Sequence, residues 1–242
     1  MDDGKRNDNV FEYTEHVRYS EVDHTGLMTL PALINCFQDC STFQSETLGV
    51  GMAWLRQERK AWVLSHWQIV VDRYPALCEP VTVGTFAASF KGFVASRYFY
   101  LRDAGGELVA RAKSSWAFMD LEKGRPVRPD ARHTDPYGVH EPLDMPGETR
   151  KVAKPESLAD KDPIEVRRYH IDTNEHVNNC QYVQMALEVL PRETEVRQLR
   201  VDYRRAARLG DVVYPKLAQE EGRAVVELCD AGGAPYAVVE LS

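Results

Sequence analysis

Residues 169–190 read YHIDTNEHVNNCQYVQMALEVL. In the first part of this stretch His170, Asp172, Asn174 and His176 fall at every second position. Extended backbone turns such residues to one side, so the spacing predicts a wall of two imidazoles, a carboxylate and an amide. Asn178-Asn179 follows, a pair suited to capping a helix. Tyr182, Val183, Ala186, Leu187, Val189 and Leu190 then form an apolar pattern, and Pro191 stops it. The pattern predicts a buried helix over 180–190 whose amino end abuts the polar wall. A helix amino terminus offers unbonded N–H groups and partial positive charge. Proton-handling side chains beside donors for a developing negative charge are what acyl-transfer hydrolysis requires. The same residues also read as nothing more than a capped turn, and the rest of the chain has to decide between the two.

The 242 residues suit one large domain or two small ones, and 43% hydrophobic content with 10% aromatic is enough for a core. A net charge of -7 and a pI near 5.6 argue against a general nucleic-acid binder. The five cysteines (36, 40, 78, 180 and 229) are odd in number and lack Cys-x-x-Cys spacing, which fits reduced core thiols in a cytoplasmic protein. The opening MDDGKRNDN is polar, so residues 1–9 read as a disordered lead without a signal core. No window has the length of a membrane span, and no membrane association is expected.

Residues 10–19 alternate as a strand, and Thr29 with Pro31 opens a helix that runs to Gly49. Residues 62–72, 81–90, 95–103 and 108–120 read as strands, with a hairpin turn at Ala104-Gly105-Gly106. The order is strand, long helix, several antiparallel strands: an α+β pattern in which one helix lies on a curled sheet. Pro136, Pro142, Pro146, Pro155 and Pro163 punctuate a charged stretch that reads as a linker over 136–163. The domains expected are therefore 10–135 and 164–242.

After the linker the first pattern returns. A shift of 149 lays Val22, Asp23 and Asp39 on Ile171, Asp172 and Glu188. A shift of 132 lays Trp67, Ile69, Val71, Leu77, Glu79 and Val81 on Leu199, Val201, Tyr203, Leu209, Asp211 and Val213. A shift of 127 lays Asp103-Ala-Gly-Gly on Asp230-Ala-Gly-Gly. Three matches in order indicate a tandem duplication with shorter loops in the second copy. Opposite Asp172, Asn174 and His176 the first copy has Asp23, Thr25 and Leu27. Only the second copy holds both amide and imidazole, so one active site per chain is expected, in the second half.

The chain resembles the acyl-ACP thioesterases, which release fatty acids from acyl carrier protein. The resemblance lies in WQIVVDRYP and RDAGGELVARAKSSWAFMD in the first half, and in IDTNEHVNNCQYVQMALE and Tyr203-Arg204-Arg205 in the second. The IDTNEHVNNCQY segment is similar to the family's Asp-x-Asn-x-His-Val-Asn-Asn-x-x-Tyr signature. The resemblance implies two tandem hotdog domains, each a long helix wrapped by an antiparallel β-sheet. It implies thioester hydrolysis with no cofactor and no metal, and Asp172, Asn174 and His176 as the catalytic residues. It departs in one place: the plant enzymes follow Tyr-Arg-Arg with Glu-Cys, and here Ala206-Ala207 stand there. Glu188 and Asp202 are the substitutes considered for that missing carboxylate.

In this reading histidine exchanges protons near neutral pH, Asp172 is general base or nucleophile, and Asn174 orients water or the carbonyl. Amides after Val177 form the oxyanion hole. The family's first domain shapes the acyl pocket, for which Phe37, Phe43, Met52, Trp54, Trp62 and Trp67 are candidates as well as core residues. Acyl carrier protein is acidic. Arg192, Arg197, Arg200, Arg204, Arg205 and Arg208, with Arg167 and Arg168, would offer it a basic rim. A homodimer stays open as an assembly. The alternatives are an acyl-CoA thioesterase, a hotdog dehydratase or hydratase, a metal site on His170, Asp172, Asn174 and His176, and a non-catalytic acyl-binding protein.

Overall fold

The computed structural model of the chain describes residues 9–147, 151–153, 155–220 and 222–242, so most of the expected lead lies outside the described residues. The chain divides into two units, Met1–Val63 with Arg73–Asp144, and Leu64–Asp72 with Met145–Ser242.

The first unit contains β1 (Phe11–His16), α1 (Leu30–Thr47), α2 (Met52–Gln57), the start of β2 (Lys60–Val71), β3 (Pro80–Lys91), β4 (Val94–Asp103), β5 (Leu108–Asp120), β6 (Arg125–Pro126) and a single turn, α3 (Ala131–Thr134). Its strands run β1-β3-β4-β5, all antiparallel, with β6 on β5. The Thr29 hydroxyl accepts from the Ala32 N–H at 3.2 Å and Pro31 sits in the first turn, which together start α1. Leu30, Leu33, Ile34, Phe37 and Cys40 recur at helical spacing and are buried, and α1 packs on β1 and β3. Phe37 meets Phe99 of β4 with ring centroids 5.4 Å apart. Its complete burial contributes roughly 2–3 kcal/mol.

The second unit holds the rest of β2, β7 (Ala159–Asp160), β8 (Ile164–Glu165), α4 (Asn179–Glu188), β9 (Gln198–Tyr203), β10 (Val212–Glu220), β11 (Arg223–Cys229) and β12 (Pro235–Leu241). Here the order is β2-β9-β12-β11-β10-β7, again antiparallel, with β8 on β10. α4 buries Cys180, Tyr182, Val183, Met185 and Ala186 and packs on β11 and β12. The proline-punctuated stretch contributes to both cores: Tyr137 packs with Val50 and Ala87, and Val152 with Val225 and Val238.

The duplication extends to individual hydrogen bonds. Val17 N–H reaches Glu79 O at 3.0 Å, and Val166 N–H reaches Asp211 O at 2.9 Å. Cys78, at φ +65°, has Gly210, at φ +86°, as its counterpart. Each unit also has an arginine clamp on its Asp-Ala-Gly-Gly hairpin. Arg73 bonds Asp103 at 3.2 Å, and Arg205 bonds Asp230 at 2.7 Å. In both hairpins the aspartate Oδ1 accepts from two backbone N–H groups and fixes the turn.

Candidate active site

The stretch after β8 is not extended, which corrects the reading of a polar wall. Arg168–His170 forms one 3₁₀ turn, and Ile171 and Val177 bridge each other across a tight loop. Asp172 is the reason. Its Oδ1 accepts from the Asn174 N–H at 2.8 Å and from the His176 N–H at 3.3 Å. Its own N–H donates to the His176 carbonyl at 2.8 Å. An aspartate that bonds the backbone two residues ahead bends the chain. Glu175, at φ +60°, completes the turn in the left-handed region. The backbone N–H groups of Asn174 and His176 are therefore gathered on the Asp172 carboxylate, which puts the three residues in one turn.

His170 is drawn away from that group. It is buried, and its Nδ1 accepts from the Arg167 N–H at 2.9 Å, which leaves the ring proton on Nε2. Burial holds its pKa below the usual histidine value. The imidazole of His176 is half-buried and the amide of Asn174 exposed. Neither side chain has a hydrogen-bond partner among the described residues.

At the amino end of α4 most donors are already used. Val177 N–H reaches Ala207 O at 2.9 Å and Asn178 N–H reaches His170 O at 2.8 Å. The Asn178 side chain caps Cys180 N–H at 2.9 Å, and its carbonyl takes Gln181 N–H at 2.9 Å. Of the amides from 177 to 181, that of Asn179 is left without an acceptor among the described residues. The expected oxyanion hole thus narrows to one backbone donor.

The first unit repeats this loop without the chemistry. Tyr19–Glu21 is its 3₁₀ turn, and Val22 bridges Met28. Asp23 Oδ1 accepts from the Thr25 N–H at 2.8 Å, and Gly26, at φ +77°, sits where Glu175 does. Glu21 takes the place of His170, accepting from the Arg18 N–H at 2.7 Å.

Residues 8–137 match the acyl-ACP thioesterase N-terminal domain, and residues 153–231 match the acyl-ACP thioesterase C-terminal domain. The chain belongs to the acyl-ACP thioesterase family. Its enzyme class is thioester hydrolase. It is 29% identical to the oleoyl-acyl carrier protein thioesterase 2 of Arabidopsis thaliana over 92% of this chain and 67% of that one. It is 30% identical to the oleoyl-acyl carrier protein thioesterase of Coriandrum sativum over 93% and 67%. The chain thus spans about two thirds of each of these chloroplastic relatives. An acyl-ACP thioesterase from Bacteroides thetaiotaomicron shares the fold, with a TM-score of 0.88 at 23% identity over 96% of this chain and 97% of the other. The 12:0-ACP thioesterase from Umbellularia californica does so with a TM-score of 0.88 at 21% identity over 97% and 96%. The architecture is α+β, of the hotdog type.

In this family member the Tyr203-Arg204-Arg205-Ala206-Ala207 segment is tied to the first turns of α4. Tyr203 Oη donates to the Asn179 carbonyl at 3.0 Å, and the Ala207 N–H donates to Tyr182 Oη at 2.7 Å. Neither proposed substitute for the missing carboxylate fits. Glu188 is exposed at the far end of α4, roughly 14 Å along the axis from Asn179. Asp202 alternates with Tyr203 along β9 and so faces the opposite side of the sheet from Asn179. It is engaged there by His66 Nδ1 at 3.0 Å, the Val152 N–H at 3.2 Å and Arg204 at 2.9 Å. Burial pushes the Asp202 pKa up, but the bonds to His66, Val152 and Arg204 outweigh it and leave the pKa lowered.

Reading Tyr182 only as an apolar helix residue missed its hydroxyl. Burial pushes its pKa up to about 12, with the Asp172 charge among the lesser causes. Phe37 and Trp67 are wholly buried, whereas Phe43 is 47% and Met52 37% exposed. Among the described residues the grouping of metal-type ligands is not at the loop. It is Glu15, Glu21 and Cys36 in the first unit, where Arg18 ion-pairs both carboxylates.

Proposed function

We propose that this chain hydrolyses fatty acyl thioesters of acyl carrier protein and releases free fatty acid for fatty acid biosynthesis. The observation that carries the reading is the gathering of Asp172, Asn174 and His176 in one turn at the amino end of α4. The matching turn of the first unit carries Asp23, Thr25 and Leu27 instead. His176, whose ring has no hydrogen-bond partner among the described residues, takes a proton from water, and Asp172 supports it as base or orienting carboxylate. The Asn174 amide and the Asn179 N–H receive the carbonyl oxygen as charge develops there. Water oxygen bonds to the acyl carbon, the carbon–sulfur bond breaks, and the proton held by His176 passes to the departing thiolate. The first unit shapes the acyl slot in this proposal. The buried cysteine side chains of Cys36, Cys40, Cys180 and Cys229 support a reducing compartment such as the cytoplasm.

The test is release of free acid and free thiol from a ladder of acyl carrier proteins of increasing chain length. His176→Ala is expected to lower turnover by roughly 10²–10⁴. Acid release at the native rate from that variant, or a double-bond change without free thiol, would overturn the proposal. Faster turnover of acyl-CoA than of the acyl carrier would reassign the carrier.

A further inference from the structure

We propose that Arg168 and Arg208, with Tyr169 and Leu209, form the surface on which the acidic face of the carrier protein docks beside the Asp172 loop. The inference rests on the acyl-carrier reading given above. A chain of net charge -7 repels an acidic protein unless a local positive surface offsets it.

Most of the arginines near the loop are already neutralised. Arg167 pairs with Glu165, Arg197 with Glu195, Arg204 with Asp202 and Arg205 with Asp230. Arg200 bonds the Gly147 carbonyl at 2.8 Å and approaches Glu240 at 4.0 Å. Arg192 lies past the far end of α4. Arg168 and Arg208 are exposed, and neither has an ion pair or side-chain hydrogen bond among the described residues.

Their backbone places them on either side of the loop's base. Val177 N–H bonds Ala207 O, Gly210 N–H bonds Val166 O at 3.1 Å, and Val166 N–H bonds Asp211 O. Residues 207–211 thus clasp both ends of the loop, with Arg208 between the clasps and Arg168 two residues beyond Val166. Tyr169 is 76% and Leu209 56% exposed in the same two segments. Arginine and tyrosine are the side chains that most often dominate protein interfaces.

The duplication supplies the control. The first unit builds the same pair of segments, with Cys78 N–H to Val17 O at 2.9 Å and Met28 N–H to Pro75 O at 2.8 Å. At the four matching positions it carries Tyr19, Ser20, Ala76 and Leu77. The backbone therefore does not need arginine there. Both free positive charges occur in the copy that also carries Asn174 and His176.

The experiment compares kcat/KM for an acyl carrier protein with kcat/KM for the same acyl group on N-acetylcysteamine, which lacks the protein. In R168A/R208A the ratio of the two is expected to fall at least about tenfold, and further in R168E/R208E. The salt sensitivity of acyl-carrier turnover is expected to shrink with it. A ratio within about twofold of wild type, or an equal fall on both substrates, overturns the docking surface alone. Wild-type enzyme that cleaves the small thioester but not the acyl carrier overturns the carrier reading, and the surface with it.

Discussion

Replacing Asp172 separates two tasks that its carboxylate performs in the structure. In Asp172→Asn the side-chain oxygen still accepts from Asn174 N–H and His176 N–H, so the turn persists and stability should stay within about 0.5 kcal/mol. In Asp172→Ala both bonds are lost at the partly exposed rim of the loop, at a cost of about 1–2 kcal/mol. Asp23→Ala is the matched control. It loses the bonds to the Thr25 N–H at 2.8 Å and the Thr25 hydroxyl at 2.6 Å, and so a comparable amount of stability, in a copy that has Leu27 where His176 stands. Turnover should fall roughly 10²–10⁴ in both Asp172 variants if the carboxylate handles a proton or orients water. The assay pairs single-turnover acid release with urea unfolding for all three variants. Near-native turnover in Asp172→Asn, with loss only in Asp172→Ala, would refute the chemical role. Asp172 would then do for its turn no more than Asp23 does.

Three further outcomes are expected. Tyr182→Phe leaves the buried Ala207 N–H without its acceptor, so urea unfolding should show a loss of about 1–3 kcal/mol. Glu175→Gly relieves a left-handed backbone and should be neutral or gain up to about 1 kcal/mol, while Gly26→Glu should lose about 1 kcal/mol, both read from thermal melts. His133 is buried against Trp54 and Phe118 with neither ring nitrogen bonded among the described residues, and burial lowers its pKa. The unfolded chain therefore takes up that proton first, so stability present above about pH 6.5 is lost as pH falls. His133→Phe should flatten that loss in melts taken between pH 7.5 and 5.5.

The repeat was legible because hydrophobic patterning and turn chemistry survive duplication. The three offsets read from residue types recur as backbone hydrogen bonds, positive-φ positions and arginine clamps. The loop itself was misread because Asp-x-Asn-x-His has the spacing of a strand face and also of an aspartate-bonded turn. What distinguishes the two is a residue with positive φ, and in the second copy that residue is Glu175, which carries no glycine signal. The first copy has Gly26 at the same place, so aligning the copies before assigning periodicity would have favoured the turn. The acceptor role of the Tyr182 hydroxyl and the clamp of Arg205 were not legible, because both depend on partners distant in sequence. Ala207 lies 25 residues from Tyr182, and Asp230 the same distance from Arg205.

Set side by side, the two copies sort the family-like residues by task. Asp230 and Arg205 have Asp103 and Arg73 as counterparts making the same contacts, so that part of the resemblance maintains a hairpin in each copy. Asn174 and His176 are matched by Thr25 and Leu27 in the first copy, where the same turn forms without them. A residue present in only one copy cannot be required by the shared backbone, so its retention calls for a task the other copy lacks. Asp172 alone falls on both sides of this division: its bonds are those of Asp23, while its neighbours Asn174 and His176 are the residues to which the proposed function gives the chemistry. That double membership is why an isosteric substitution there, with the first copy as reference, discriminates between folding and chemistry where deletion of the side chain would confound them.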